Sequence, residues 1–188
     1  MQTIAILERL RGLWRSRVRA TRPIALALQG GGAHGAFTWG VLDRMLEEPG
    51  LRIEALSGAS AGAINAAVLA SAHAHGGATR ARAQLQDFWR SLAMVARLSP
   101  LRPTALEAVA FGRDVEMSLS YMMRDMISRV VSPYQFNPLD LNPLREILLK
   151  FVDFDALRGE SAIRLFIAAT NAETGAGRIF TNSEMSSE

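Results

Sequence analysis

Residues Gly58-Ala59-Ser60-Ala61-Gly62 set one serine between two glycines, in the spacing G-x-S-x-G. Such a serine is a candidate nucleophile for acyl transfer when it occupies a sharp strand-to-helix turn. Side chains two residues before and two after would collide with neighbouring backbone, so glycine is expected at both 58 and 62. The turn lifts Oγ above the sheet and aims the next helix N-terminus at it. N–H groups and the positive helix end then stabilise a developing oxyanion. The plainer alternative is a tight turn that lets a helix and a strand pack closely.

A second glycine cluster, Gly30-Gly31-Gly32-Ala33-His34-Gly35, also follows an apolar run and opens a helical one. Through Gly30, Gly32 and Gly35 it fits G-x-G-x-x-G, the dinucleotide fingerprint. That fingerprint expects an acidic residue about 20 positions on, and Glu54 lies nineteen after Gly35 (54 − 35). Yet the acid should end the second strand, within reach of a ribose. Glu54 comes early in that strand, and this reading leaves Ser60 unexplained. One model uses both turns: the glycine loop supplies oxyanion N–H donors beside an attacking Ser60.

The base that would activate Ser60 is harder to find. The three histidines are His34, His73 and His75. A serine–acid–histidine order would need a histidine later in the chain. His73 and His75 fall at the far end of the helix that follows Ser60, roughly 20 Å away at 1.5 Å per residue. His34 lies in the glycine loop, where it reads as a supporting or solvent-facing residue and distance does not remove it as a base. A carboxylate base remains, and with it a serine–aspartate dyad.

The surrounding elements alternate between strand and helix. IALALQ (24–29) reads as a short buried strand, and AFTWGVLDRMLEE as a helix with Phe37, Val41, Leu42, Met45 and Leu46 on its apolar face. Pro49-Gly50 stops that helix. LRIEALS is a second strand, and AINAAVLASAHA a small-residue helix ending near Gly76-Gly77. A further helix follows from Ala78 to Leu98. Residues 104–131 are mostly helical and rich in methionine, a gap-filling core or an adaptable acyl-chain wall. Asn142 caps the helix that starts at Pro143, RLFIAAT (164–170) is a buried strand, and RIFTN a short one. The pattern predicts an α/β fold with a mainly parallel sheet, whose ligands sit at the carboxyl ends of the strands.

Composition narrows the function classes. The chain has 188 residues, 49% hydrophobic and 21% charged, with a net charge of +3 and no cysteine. Disulfides and thiolate metal sites are excluded. The basic residues are arginines apart from Lys150, and they are scattered, so nucleic acid is not an expected partner. No apolar run approaches the ~18 residues that span a bilayer, and the N-terminus is no secretory signal. A cytoplasmic protein is expected. Residues 1–22 read as an amphipathic basic leader that packs on the domain or touches a membrane surface peripherally.

LALQGGGAHGAFTWGVLDRMLEE followed by GASAGAINAA resembles the patatin-like phospholipases, lipid acyl hydrolases with a Ser-Asp dyad. The likeness continues through NPLREILLKFVDFDALR and LFIAATNAETGAGRIF, and covers nearly everything from Pro23 onward. It implies a three-layer α/β/α fold, Ser60 as nucleophile, an oxyanion loop at Gly30, Gly31 and Gly32, a lipid or acyl-ester substrate, and no metal or cofactor. Many members carry Arg or Lys where this chain has His34. The family's aspartate lies in an Asp-Gly-Gly or Asp-Gly-Ala motif, and this sequence has no Asp-Gly dipeptide. Asp140, Asp153 and Asp155 stand in other contexts. Residues 23–188 are therefore expected to be a patatin-like domain truncated before its catalytic aspartate, nearly inactive alone, with the sheet incomplete beyond Ile179–Thr181. A dinucleotide-binding protein and a non-catalytic lipid-binding remnant are the alternatives.

Overall fold

The computed structural model describes residues 21–98, 142–159 and 163–186. The leader up to residue 20 and the methionine-rich stretch 115–126 lie outside them. Described residues 21–88, 148–159 and 163–186 belong to one compact unit, and 89–98 and 142–147 to a second. The site and its supports belong to the first.

The element order is β1 (Arg22–Leu28), α1 (Gly35–Leu46), β2 (Leu51–Ala59), α2 (Ala61–Leu98), α3 (Pro143–Phe151), α4 (Phe154–Arg158), β3 (Arg164–Thr170) and β4 (Gly177–Thr181). The four strands form one sheet in the order β1-β2-β3-β4. The first two pairings are parallel, and β4 returns antiparallel to β3. Non-helical angles at Gly76 and Gly77 break α2 at the expected place, with Gly77 at φ 63°. The first arm of α2 carries buried Ala66, Val68, Leu69, Ala70 and Ala72. A helix buried on most sides is what an almost wholly small and apolar sequence requires.

Helices α1 and α2 share one face of the sheet, because they bond to each other. Asn65 of α2 donates to the Gly35 carbonyl, and Arg82 clamps Asp43 of α1 at 2.8 and 3.1 Å. That sheet face carries Ile53, Leu56 and Leu165, all buried. The register puts Leu26, Leu56 and Leu165 in one row. It also leaves Glu54 as the extra residue of a bulge, since Ile24 pairs with Ile53 but Ala25 with Ala55.

Two expectations need correction. β1 and β3 are not buried throughout; they alternate, with Ala25, Ala27, Phe166 and Ala168 exposed on the face turned away from α1 and α2. Among the described residues β1 is an edge strand, with no neighbour along one of its long sides. The apolar period of α1 likewise overstates its core. Leu42 is buried, but Phe37 is 79% exposed and Val41 44%.

Candidate active site

Ser60 is the residue between β2 and α2. Its φ of 52° makes it, among the described residues, the one non-glycine with a left-handed backbone. For an L-residue this conformation costs roughly 1–2 kcal/mol. The neighbours explain how it is held. A Cβ added to Gly58 would lie 2.6 Å from the Gly62 carbonyl carbon and 2.8 Å from the Ala63 nitrogen, and one added to Gly62 would run into the Leu28 carbonyl oxygen. The strand entering the turn, the helix leaving it and the end of β1 are thus pressed together, and only glycine fits at 58 and 62. Ser60 itself stays exposed, and its carbonyl accepts the Ile64 N–H at 3.1 Å, starting the helix.

The glycine loop begins beside it. A Cβ on Gly30 would stand 3.0 Å from the Ala59 carbonyl and 3.2 Å from Ser60 Cβ. Gly31 (φ 146°) and Gly32 (φ 55°) then turn the chain into a short 3-10 segment, Gly32–His34, and Gly35 opens α1. Gly31 and Gly32 are exposed, whereas Gly35 is buried. Ser60 thus stands directly before the N-terminus of α2, and the loop packed against it runs on into the N-terminus of α1. Neither has an acidic residue in its first turn, and no side chain caps α1. Their partial positive charge is left free to act on an anion.

His34 is fastened to its own loop. Its backbone N–H and its Nδ1–H both donate to the Gly31 carbonyl at 3.1 Å. A carbonyl can only accept, so Nδ1 is the donor in this contact. His73 and His75 are at the end of the first arm of α2, as expected; burial pushes the His73 pKa down, and His75 Nε2 meets Asp153 Oδ2 at 3.0 Å. Among the described residues no carboxylate bonds to Ser60. Asp43 is held by Arg82, Asp155 by Arg158, and Asp153 caps α4 by accepting the Ala156 N–H at 3.0 Å. Asp140 lies outside the described residues.

Glu54 is the fourth residue of β2, five positions before Ala59 and so roughly 17 Å of strand from it, and its carboxylate pairs with Arg52 at 2.5 Å. An acid so placed does not reach a ribose beside Gly30–Gly35, which counts against the dinucleotide reading.

Sequence reading passed over Asn65. Its side chain is completely buried and donates to the Gly35 carbonyl at 3.0 Å, tying the helix behind Ser60 to the end of the glycine loop. A lone amide in the run AINAAVLA was the available signal, because a buried amide must find partners.

One of three comparisons with known proteins gave a match. No curated protein and no solved structure gave a significant match. The model of the family described as patatin-like phospholipase matches residues 26–187, which take in both glycine turns, α1 to α4 and all but the first residues of β1. The chain belongs to the patatin-like phospholipase family.

Proposed function

We propose that this chain carries the nucleophile and the oxyanion donors of a serine lipid acyl hydrolase. The observation that carries the reading is the strained, exposed Ser60, held against Gly30 directly before the N-terminus of α2. Ser60 Oγ attacks the acyl carbonyl carbon and gives up its proton to a carboxylate base. N–H groups of Gly30, Gly31 and Gly32 stabilise the tetrahedral oxyanion. The intermediate collapses, the alcohol leaves with the proton, and water releases the fatty acid from the acyl-serine. Family membership makes lipid esters the substrate class, and an aspartate outside the described residues is the proposed base. Among the described residues no carboxylate serves Ser60; a site without its base should turn esters over only weakly, since removing one member of a catalytic set still leaves some rate above water.

Labelling with a fluorophosphonate, read by intact mass beside Ser60→Ala, tests this. One adduct on the chain and none on the variant is the expected result. An adduct that survives Ser60→Ala, or no adduct on a folded chain, would overturn the assignment of Ser60.

A further inference from the structure

An apolar cavity of about 380 Å³ opens beside the serine turn, between the first arm of α2 and the β3–β4 pair. Ala63, Ile64 and Ala67 of α2 form one wall, and Ile167 and Phe180 another. Ile64 donates its N–H to the Ser60 carbonyl, so the cavity begins one helical turn from the proposed nucleophile. The register supports the same placement, since Gly58 pairs with Ile167 and Ile167 with Phe180.

Position and chemistry then select the ligand. In the strand order β1-β2-β3-β4, the glycine loop flanks Ser60 on the β1 side and the cavity lies on the β3 side. An ester carbonyl over Ser60, its oxygen toward the glycine loop, sends a substituent toward the cavity. The lining is hydrocarbon except at the rim. There the Glu184 carboxylate is taken up by the Thr181 N–H and Arg178, both at 2.9 Å. It offers a head group no free charge.

Met185 also lines the cavity, and it is fixed. Arg158 Nη1 donates to the Met185 carbonyl at 2.7 Å. Asn182, three residues earlier, accepts the Leu165 N–H at 2.7 Å and donates to the Leu157 and Ile163 carbonyls at 3.1 and 3.2 Å. A cavity held open by such bonds does not close onto itself when empty. Its width is set by small residues, because a larger side chain at 63 or 67 would project into it.

We infer that this cavity is the acyl-chain site, that Ala67 sets the room available to the chain, and that the fatty-acyl group of the substrate lies between α2 and β3–β4. The inference rests on the Ser60 reading. Two reagents test it on the 188-residue chain: an ethyl and a hexadecyl fluorophosphonate, whose rates of reaction are compared as a ratio. Ala67→Leu is expected to lower the hexadecyl-to-ethyl ratio about tenfold, the scale that a few methylenes carry in an apolar pocket. Val41→Ala, on α1 and outside the lining, is expected to leave it unchanged. Circular dichroism establishes that both variants are folded. A ratio unchanged in folded Ala67→Leu would overturn the inference. Binding of cis-parinaric acid, followed by its fluorescence, needs no reactive serine. Binding weakened in Ala67→Leu, with Ser60 unlabelled throughout, would keep the lipid cavity and sink the hydrolase reading. Binding unaffected by Ala67→Leu would remove the cavity while leaving a labelled Ser60 intact.

Discussion

Asn65 Nδ2 donates to the Gly35 carbonyl at 3.0 Å, across thirty residues of chain and from a fully buried side chain. The bond fixes where the glycine loop ends relative to the helix that begins after Ser60. Asn65→Ala should cost about 1–3 kcal/mol, the range for breaking a buried hydrogen bond. It should also slow fluorophosphonate labelling of Ser60 well below the unfolding midpoint, because the loop donors lose their register. Urea unfolding and labelling rates measure the two effects separately. A destabilised variant with an unchanged labelling rate would make Asn65 a packing residue only.

Ser60 pays for its exposure in backbone strain, and the strain is separable from the hydroxyl. Ser60→Ala keeps a Cβ at φ 52°, whereas Ser60→Gly removes it. The left-handed conformation costs an L-residue roughly 1–2 kcal/mol, against roughly 0.5–1 kcal/mol for the extra freedom of glycine in the unfolded chain. The strain term is the larger, so Ser60→Gly should be more stable than Ser60→Ala by about 0.5–1 kcal/mol. Chemical denaturation of the two variants decides it, and equal stabilities would show that the turn relaxes around residue 60.

The glycines of the site should separate into two groups. Gly62→Ala meets the Leu28 carbonyl and Gly58→Ala meets the backbone of Gly62 and Ala63, neither of which can step aside. Each should lose at least the 1–3 kcal/mol typical of overpacking and fail to label at Ser60. A Cβ on Gly32 meets nothing within 4 Å, so Gly32→Ala carries only the cost of φ 55° and should fold well. Thermal unfolding of the three variants checks the ranking, and a Gly32→Ala as unstable as Gly62→Ala would contradict it.

These contrasts show what was legible beforehand. Gly58, Gly62 and Gly77 were readable because glycine at a fixed offset from a strand or helix end reports a steric demand made locally. The carboxyl-end placement of both turns followed from the strand–turn–helix order alone. What failed was any property that depends on a neighbour. Ile24–Gln29 looks continuously buried by composition, yet among the described residues β1 is an edge strand and its alanines face away from α1 and α2. Phe37 and Val41 recur at helical spacing, but periodicity names a face without saying what covers it. Asn65 was passed over for the same reason, since its partner lies thirty residues away.

Asp153 makes three bonds that tie α2 to α4, and that gives the fold an acid sensitivity. Its N–H donates to the buried Ser71 of α2 at 2.8 Å, its Oδ1 accepts the Ala156 N–H, and its Oδ2 meets His75. The Ala156 N–H, and then His75, hold its carboxyl below the ordinary value. A carboxyl lowered in the folded state adds stability above the unfolded pKa of about 4 and loses it as pH falls through the folded value. Thermal midpoints measured from neutral pH downward should therefore fall below about pH 4. The fall should be shallower in Asp153→Asn, which keeps an acceptor for Ala156 but has no proton to gain in that range. His75→Gln should reduce the slope less, because the backbone N–H is the larger cause. An acid profile of Asp153→Asn that parallels the parent would place the sensitivity elsewhere, first at Glu184, whose carboxyl is lowered in the same direction by the Thr181 N–H and Arg178.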